Sequence, residues 1–304
     1  MRDATDGTED AGSPGAAAVR LPVRPPFDRA ALLDFLRNRA VAGVEACDGT
    51  TYRRALRLPG GPVTLALTPS DDHVACTVRG ARPPDGQAAE QAAERAATVA
   101  RRMLDLDADA PAIVADLGRD PLLGPLVRAR PGLRVPGHPD PFEVLVRAIV
   151  GQQVSVAGAR TVLGRIVAAL GEPLAAPDGP VTTCFPTPEE VAAAPPAVFP
   201  MPRARAETLR RVAAAVAAGE LDLAGDARDL ERRLLAVPGI GPWTVAYVAL
   251  RALGDRDVFL PTDLGVRRAL ERLGLPGDPR SAAARAEAWR PWRSYALLYL
   301  WTAA

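Results

Sequence analysis

The spacing of apolar residues changes along the chain, and this change constrains the fold more than any other feature. Three runs in the first third alternate apolar and polar residues: 50–58, 62–68 and 73–79. Short segments rich in glycine, serine and aspartate separate these runs, at 60–61 and 70–72, which is typical of a β-meander. From about residue 110 onward the apolar residues follow helical spacing, and no strand is predicted there.

Helical patterns flank the alternating runs. An amphipathic helix is predicted at 28–39, with Asp28 near its start, and an Ala-rich helix at 86–106. The predicted fold class is therefore α+β. It consists of a small N-terminal antiparallel-sheet domain with helices at 20–109, followed by an all-α domain at 110–304.

The second domain is predicted to be built from short helices. They are expected at 111–117, 121–129, 141–151, 154–170, 187–194, 203–218, 227–236, 242–253, 263–273, 281–288 and 291–303. The stretch 171–202 is rich in Pro and Ala. It is predicted to be an ordered connector around one short helix.

The composition excludes several classes of protein. The chain has 304 residues, 48% of them apolar and 24% charged, which suits about two domains and excludes disorder of the whole chain. It contains no run of about 18 apolar residues, so we expect no membrane span. Residues 1–19 carry four acids and no apolar segment, which predicts a disordered tail rather than a signal peptide.

The net charge of +1 conceals a basic C-terminal region. Residues 232–304 hold 11 Arg and 6 acids, giving +5. Residues 1–109 hold 14 Arg and 16 acids, and residues 110–231 hold 12 Arg and 14 acids, so each sums to −2. The basic region favours a polyanionic partner. All 37 basic residues are Arg, so a mechanism that needs a lysine amine is excluded.

The cysteines and histidines do not suggest a metal centre. Cys47, Cys76 and Cys184 lie far apart without ligand spacing, and the chain has only two histidines. We therefore expect neither a zinc site nor an iron–sulfur cluster. The odd number of cysteines suggests a reducing cytoplasm. His73 and His138 are expected to be structural or exposed.

Residues 234–249, LLAVPGIGPWTVAYVA, predict two helices joined by a very short turn. Pro238 and Gly239 end the first helix, and Pro242 suits the first turn of the second. The N–H groups around Gly239, Ile240 and Gly241 would then point outward at a helix N-terminus, which favours an anion such as a phosphate. An ordinary turn between antiparallel helices fits the pattern equally well.

An acid follows an apolar turn in residues 257–272, DVFLPTDLGVRRALER. Asp263 stands where a helix begins, so an N-cap is the simplest interpretation. A surface cap needs no apolar segment before it, and the helix dipole holds a carboxylate at this position ionised. The alternative is that Asp263 stabilises a cation electrostatically.

The aromatic residues are concentrated near the C-terminus. All four Trp and three of the four Tyr lie within 243–301. Trp243 and Tyr247 share a helix face at spacing i,i+4. A second helical stripe is predicted to be core, and Trp301 falls outside it: Trp292, Tyr295 and Tyr299. Packing and a stacking pocket are both compatible with this cluster.

These segments together resemble the helix–hairpin–helix superfamily of DNA base-excision glycosylases, and within it the alkylation-repair enzymes that act on 3-methyladenine. The resemblance covers about 20–304. It is carried by PPFDRAALLDFLRNRAVAGVE, RAIVGQQVSV at 147–156, LLAVPGIGPWTVAYVALRALGDRDVFLPTD, and WRPWRSYALLYLW at 289–301.

The resemblance implies a role for each matching residue. Asp263 matches the catalytic aspartate, Trp243 and Trp301 match aromatic residues of the base pocket, and Tyr247 matches a residue that lines it. The residues that match the hairpin gripping the DNA backbone are Gly239, Ile240, Gly241 and Thr244. In this family the hairpin carbonyls also hold a monovalent cation, Na⁺ or K⁺, and here those carbonyls belong to Leu235, Val237 and Ile240.

Three positions depart from the family pattern. Gln153 falls where the family inserts a wedge into the duplex, and the wedge is usually apolar. Thr262 replaces the first acid of a paired Asp-Asp, which leaves Asp263 as the remaining candidate. Val245 stands where Ala is usual.

Arg293 and Ser294 either support the pocket or are structural, and we favour a structural role.

The resemblance implies a monofunctional DNA glycosylase that flips out alkylated bases in double-stranded DNA and leaves an abasic site. No lyase activity is expected, because Trp243 occupies the position of the lysine that lyases use. We expect a monomer associated with the nucleoid in the cytoplasm, with no required cofactor. Two alternatives remain open: a non-catalytic helix–hairpin–helix DNA-binding protein, and a glycosylase for other damaged purines.

Overall fold

The computed structural model describes residues 17–80 and 86–304. Most of the tail predicted at 1–19 lies outside these ranges, and its last three residues begin the first strand. The N-terminal part contains β1 (Ala17–Pro22), α1 (Arg29–Arg39), β2 (Glu45–Cys47), β3 (Tyr52–Leu58), β4 (Gly61–Pro69), β5 (His73–Gly80) and α2 (Gly86–Met103).

The strands form one antiparallel sheet in the order β1-β5-β4-β3-β2. The three strands of the predicted meander are confirmed, and alternate residues such as Leu65 and Leu67 are fully buried beneath α1 and α2. The two edge strands were not predicted. β2 has only three residues, too few to show alternation, and β1 is defined by its pairing with β5, in which Val19 lies opposite Cys76.

The remaining helices are those predicted, with small shifts at their ends. They are α3 (Ala110–Leu117), α4 (Gly124–Ala129), α5 (Pro141–Gly151), α6 (Val156–Leu170), α7 (Pro188–Ala193), α8 (Arg203–Ala217), α9 (Ala227–Leu235), α10 (Pro242–Val248), α11 (Leu264–Arg272), α12 (Pro279–Ala286) and α13 (Arg293–Ala303). A π-helical turn at Ala249–Leu253 extends α10. Among the described residues, no helix is long and apolar enough to cross a membrane.

The prediction that no strand follows residue 110 was wrong. β6 (Pro173–Asp178) and β7 (Val181–Thr183) form a hairpin within the predicted connector. β7 lies against the N-terminal sheet, where the backbone N–H of Thr182 donates to the carbonyl of Gly43 at 2.8 Å. The hairpin was missed because it is short and β6 contains two prolines, so its pairing depends on the neighbouring sheet rather than on its own pattern.

Two apolar clusters form the core of the helical part. One joins α5, α6 and α8 to the hairpin between α9 and α10. The other joins α3, α4 and α11 to α13, whose Tyr295 and Tyr299 are buried as the predicted core stripe requires. A cleft opens between these clusters, and the end of α1 closes one side of it.

A buried group of charged side chains connects the sheet to the helical part. The guanidinium of Arg54 on β3 donates to the Glu143 carboxylate on α5 at 2.8 Å, and Arg147 contacts Glu45 at 2.5 Å. Burial would raise the pKa of Glu143, but the charges of Arg54 and Arg147 outweigh burial and hold it well below its usual range. The two arginines balance the two glutamates, so the group is neutral without a metal ion.

Candidate active site

The cleft has a volume of about 1090 Å³, and residues from both the sheet and the helical part line it. The segments that carry the predicted site or face it include the end of α1, the loop between α5 and α6, the hairpin between α9 and α10, the start of α11, and the end of α13. The predicted catalytic and base-pocket residues all line this cleft: Trp243, Tyr247, Asp263 and Trp301.

Asp263 is the N-cap of α11, and its carboxylate also lies between two indole rings. Oδ1 accepts from the backbone N–H of Val266 at 3.2 Å and from Nε1 of Trp301 at 3.0 Å. Oδ2 accepts from Nε1 of Trp243 at 3.1 Å. The cap and the functional interpretation are therefore compatible. Three donors fix the orientation of the carboxylate, which has about four acceptor positions and retains capacity for another partner.

The apolar turn before Asp263 anchors it to the core. Val258 and Leu260 are buried beneath the C-terminal helices. The hydroxyl of Ser294 accepts from the backbone N–H of Val258 at 3.0 Å. Arg293 donates to the carboxylate of Asp257 at 2.7 Å. The structural role favoured for Arg293 and Ser294 is thus to hold the segment that leads to Asp263.

The aromatic side chains form the walls of the cleft. Trp243 stacks on Tyr247 with ring centroids 5.2 Å apart and planes 16° apart, as their shared helix face predicts. Trp301 stacks on Phe35 of α1, with centroids 6.5 Å apart. Both indole N–H groups turn toward the carboxylate, which leaves ring surface facing the cleft.

Gly265 allows Trp301 to approach Asp263. A Cβ at this position would lie 3.1 Å from Oδ1 of Asp263 and 3.1 Å from Cδ1 of Trp301. Such contacts are tighter than ordinary van der Waals separation, so a larger residue would displace one of the partners. This requirement could not be predicted from the local sequence, because it arises from α13 packing across α11.

The turn between α9 and α10 requires its first glycine. Gly239 has φ of +94°, and a Cβ there would lie 2.3 Å from the Thr208 hydroxyl on α8. Ile240 is buried and anchors the turn in the core. A Cβ on Gly241 would meet nothing within 4 Å, so the backbone is open to solvent at this point. Among the described residues, neither Gly239 nor Gly241 uses its N–H in a backbone hydrogen bond.

Thr244 lies one turn into α10, and its side chain is buried. Its hydroxyl accepts from Nε2 of Gln152 at 3.1 Å, and the same amide donates to the carbonyl of Gly239 at 3.0 Å. Gln152 therefore ties the α5–α6 loop to the hairpin, a connection that sequence reasoning missed. Gln153 is exposed at the tip of that loop and has φ of +58°.

The carbonyls assigned to a cation lie on the same hairpin. Val237 accepts from the N–H of Ile240 at 3.0 Å. The carbonyls of Leu235 and Ile240 accept no backbone hydrogen bond among the described residues. Unpartnered carbonyl oxygens at the end of a helix suit a hard cation such as Na⁺ or K⁺, so the residues present fit the group that the resemblance implies.

Two arginines in the cleft were also missed. Burial lowers the pKa of Arg39 to about 10. Burial would raise the pKa of Tyr247, but the positive charges of Arg251 and Arg39 outweigh it and lower that pKa. Arg39 lies one turn after Phe35 on α1, and this i,i+4 pair was the available signal. It was not used because α1 belongs to the predicted sheet domain rather than to the helical one.

Two family models match the chain. The model of the AlkA N-terminal domain matches residues 18–140, and that of the HhH-GPD superfamily base excision DNA repair proteins matches residues 146–294. DNA-3-methyladenine glycosylase 2 of Escherichia coli is 38% identical over 284 residues, which cover 91% of this chain and 94% of that protein. The chain belongs to the HhH-GPD superfamily. The resemblance seen in the sequence is thereby confirmed.

Other relatives of this HhH-GPD protein agree in fold and sequence. The Mycobacterium tuberculosis protein named probable bifunctional transcriptional activator/DNA repair enzyme AlkA is 42% identical over 292 residues, 95% of this chain. The chain spans 58% of the length of that protein. The solved 3-methyladenine DNA glycosylase of Archaeoglobus fulgidus has a TM-score of 0.77 at 24% identity, covering 93% of this chain and 97% of that one. The predicted fold class is confirmed.

Proposed function

We propose that this protein is a monofunctional DNA glycosylase that removes alkylated bases from double-stranded DNA and leaves an abasic site. The observation that carries the proposal is the carboxylate of Asp263, held between Trp243 and Trp301 at distances of 3.1 and 3.0 Å. The relatives named 3-methyladenine glycosylases support alkylated purines as the substrate class.

Base removal begins with extrusion of the nucleotide, because a base inside the duplex cannot reach the cleft. The open N–H groups of the hairpin bind the phosphate backbone beside the lesion. The exposed Gln153 enters the gap left in the stack. Gln152 couples these two events, since one amide group contacts both the hairpin and the loop that carries Gln153.

The extruded base stacks between the indole faces of Trp243 and Trp301. Base–aromatic stacking contributes about 1–3 kcal/mol for any base. A cationic alkylated purine gains roughly 0.5–2 kcal/mol more from the aromatic faces. Since this difference is modest, most of the selectivity comes from the weakness of the alkylated glycosidic bond.

Asp263 acts on the sugar. As the bond from C1′ to the base breaks, its electron pair leaves with the base, and the sugar becomes oxocarbenium-like. The ionised carboxylate stabilises this positive charge and orients a water molecule toward C1′. The water gives its oxygen to C1′ and a proton to solvent. A cationic base departs neutral and needs no general acid.

The carbonyls of Leu235, Val237 and Ile240 would hold the monovalent cation, which supplies positive charge near the bound phosphate. The hydrolytic step at Asp263 needs no other cofactor.

We also propose that the protein acts as a monomer on chromosomal DNA in the cytoplasm. Sedimentation velocity with and without a 20-base-pair duplex measures the stoichiometry, and a one-to-one complex is expected.

The decisive experiment replaces Asp263 by Asn. Asp263→Asn keeps a side-chain acceptor for the Val266 N–H but removes the charge, so base release should fall at least about 100-fold with DNA affinity largely unchanged. Release is measured by chromatography of free bases from methylated DNA. Asp278→Asn is the matched control, because Asp278 caps α12 in the same way and lies outside the cleft lining. Near-wild-type release by Asp263→Asn would contradict the assignment. DNA binding without any release by the wild type would favour a non-catalytic DNA-binding protein.

The absence of lysine from this chain gives a second test. Strand cleavage by a bifunctional glycosylase uses an amine that forms a Schiff base with the sugar. The basic side chains of this sequence are all arginines, which do not form a Schiff base as a lysine amine does. Trp243 stands at the hairpin position of that lysine. Borohydride reduction should therefore trap no side-chain adduct with abasic DNA. A trapped complex at an internal residue, identified by peptide mass spectrometry, would overturn the monofunctional assignment.

A further inference from the structure

The N-terminal domain places a cation inside the base pocket. Arg39 is the last residue of α1 and lines the cleft. Its guanidinium carbon lies 3.8 Å from the ring centroid of Phe35 and 5.8 Å from that of Trp301. Among the described residues no carboxylate lies within ion-pair distance of Arg39. Its guanidinium donates to the Phe35 carbonyl at 3.5 Å and also lies near the Tyr247 hydroxyl and the Asp263 carboxylate. A guanidinium has five N–H donors, so donors remain available to a ligand.

The helical part fixes the position of Arg39. The backbone carbonyl of Arg39 accepts from Arg147 at 2.9 Å, and that of Ala40 accepts from Arg160 at 2.9 Å. Arg147 itself belongs to the buried charged group that joins the two parts of the fold. The end of α1 is thus tied to α5 and α6, and the Arg39 side chain is presented to the cleft by a rigid support.

A second arginine nearby has its donors occupied. Arg251 lies 4.8 Å from the Phe35 centroid, and its guanidinium donates to the carbonyls of Pro136 and Gly137 and to the Tyr247 hydroxyl. Arg39 and Arg251 together with Asp263 sum to a net charge of +1, and Arg268 also lines the cleft. Arg39 stays protonated at neutral pH, since burial lowers its pKa only to about 10.

We propose that Arg39 is a specificity residue that donates hydrogen bonds to a carbonyl oxygen of the extruded base. A neutral base with such an acceptor gains a charge-assisted hydrogen bond. A cationic base without a carbonyl lacks this acceptor and meets a like charge. Arg39 therefore shifts the pocket toward neutral oxo-bases, against the preference of the aromatic walls. This inference rests on the proposed function.

The test compares two lesions that differ in charge and acceptor. Hypoxanthine is neutral and has a 6-oxo group, whereas 3-methyladenine is cationic in DNA and has no carbonyl. Single-turnover release is measured from a hypoxanthine duplex and from methylated DNA. Arg39→Met should lower hypoxanthine release about 10- to 100-fold, the range for loss of a hydrogen bond to a charged group. Its release of 3-methyladenine should fall less than about threefold, or rise.

Arg37→Met is the matched control, because Arg37 lies on the same helix but is exposed and paired with Asp34. It should leave both rates unchanged. Arg39→Lys keeps the charge, and its hypoxanthine rate should fall between those of the wild type and Arg39→Met. It also serves as the second variant if thermal melting shows that Arg39→Met is unfolded.

The outcomes separate this inference from the proposed function. Equal loss of both lesions in a folded variant, or no loss of either, would overturn the role of Arg39. Release of 3-methyladenine but not hypoxanthine by the wild type would also overturn it, while leaving the proposed function intact. A wild type that releases neither lesion would contradict the proposed function and this inference together.

Discussion

At the scale of single residues, the two tryptophans combine packing with hydrogen bonding. Each presents a ring face to the cleft and an N–H to the same carboxylate. An acid surrounded by aromatic rings would otherwise lose hydration without compensation, which is unfavourable. The indole donors and the first turn of α11 replace that hydration and fix the orientation of the carboxylate.

Replacing Trp301 by Phe separates these two contributions. Trp301→Phe keeps a ring in the wall but removes the 3.0 Å hydrogen bond to Asp263. Base release should slow about tenfold, and DNA affinity should change little, because one of three contacts that orient the carboxylate is lost. Single-turnover release and a binding titration measure the two quantities.

Trp292→Phe is the matched control for this substitution. It also removes an indole hydrogen bond to an aspartate, the one that Trp292 donates to Asp116 at 3.0 Å, but it lies outside the cleft lining. Its release rate should match the wild type. Equal rates for Trp301→Phe and Trp292→Phe would show that the indole donor at position 301 does not matter.

At the scale of elements, the hairpin between α9 and α10 is shaped by contacts on both sides. The Thr208 hydroxyl lies 3.0 Å from the carbonyl of Pro238, and Gln152 holds the carbonyl of Gly239. These contacts leave the N–H groups of Gly239 and Gly241 open, whereas the predicted outward N–H of Ile240 donates to the Val237 carbonyl. The hairpin is therefore a rigid backbone surface, and its geometry depends on α8 and on the α5–α6 loop.

Gly239→Ala tests this rigidity. The substitution places a Cβ at positive φ and 2.3 Å from the Thr208 hydroxyl. The positive φ costs about 1 kcal/mol, and the clash costs about 1–3 kcal/mol more. DNA affinity should fall as well, because the turn must shift. Chemical denaturation and a binding titration give both values.

Gly219→Ala provides the comparison, because Gly219 has φ of +72° and open space around it. It should lower the unfolding free energy by about 1 kcal/mol and leave DNA affinity unchanged. If both variants lost the same stability and bound DNA equally well, the hairpin would be more compliant than the contacts indicate.

At the scale of the whole molecule, the buried charged group makes one unit of the sheet and the helices. His138 belongs to it. One ring nitrogen, Nδ1, is 3.0 Å from the carbonyl of Asp140, and the other, Nε2, accepts from Arg54 at 3.0 Å. This pattern fits the neutral ring. Burial lowers the pKa of His138, and Arg54 adds to this effect, although Glu143 partly offsets it.

The lowered pKa predicts acid sensitivity. The unfolded chain takes up a proton at His138 below about pH 6.5, whereas the folded protein resists it, so stability is lost as the pH falls. The loss approaches about 1.4 kcal/mol per pH unit below pH 6.5. The depressed pKa of Glu143 adds a further loss below about pH 4.5. Unfolding free energies between pH 7.5 and 4 measure both.

His138→Gln should flatten the step between pH 6.5 and 5.5. His73→Gln is the control, since His73 lies at the start of β5, far from the buried charged group, and contacts Asp72. An unchanged slope in His138→Gln would mean that another group titrates in this range.

Much of this protein follows from local sequence. The meander, the helices, the glycine turn and the N-cap at Asp263 each arise from backbone preferences and apolar spacing within a few residues. The family resemblance identified the walls of the cleft for the same reason, since its motifs are contiguous. The sequence also excluded a lysine-based mechanism outright, because composition alone decides it.

The tertiary structure decided which distant groups meet. The indole of Trp301 reaches Asp263 across 38 positions of sequence, and Arg39 enters the cleft because α5 and α6 hold the end of α1. The packing of the β6–β7 hairpin against the N-terminal sheet and the need for Gly265 have the same origin. Such contacts depend on how packed elements are oriented, which the period of a single segment does not encode.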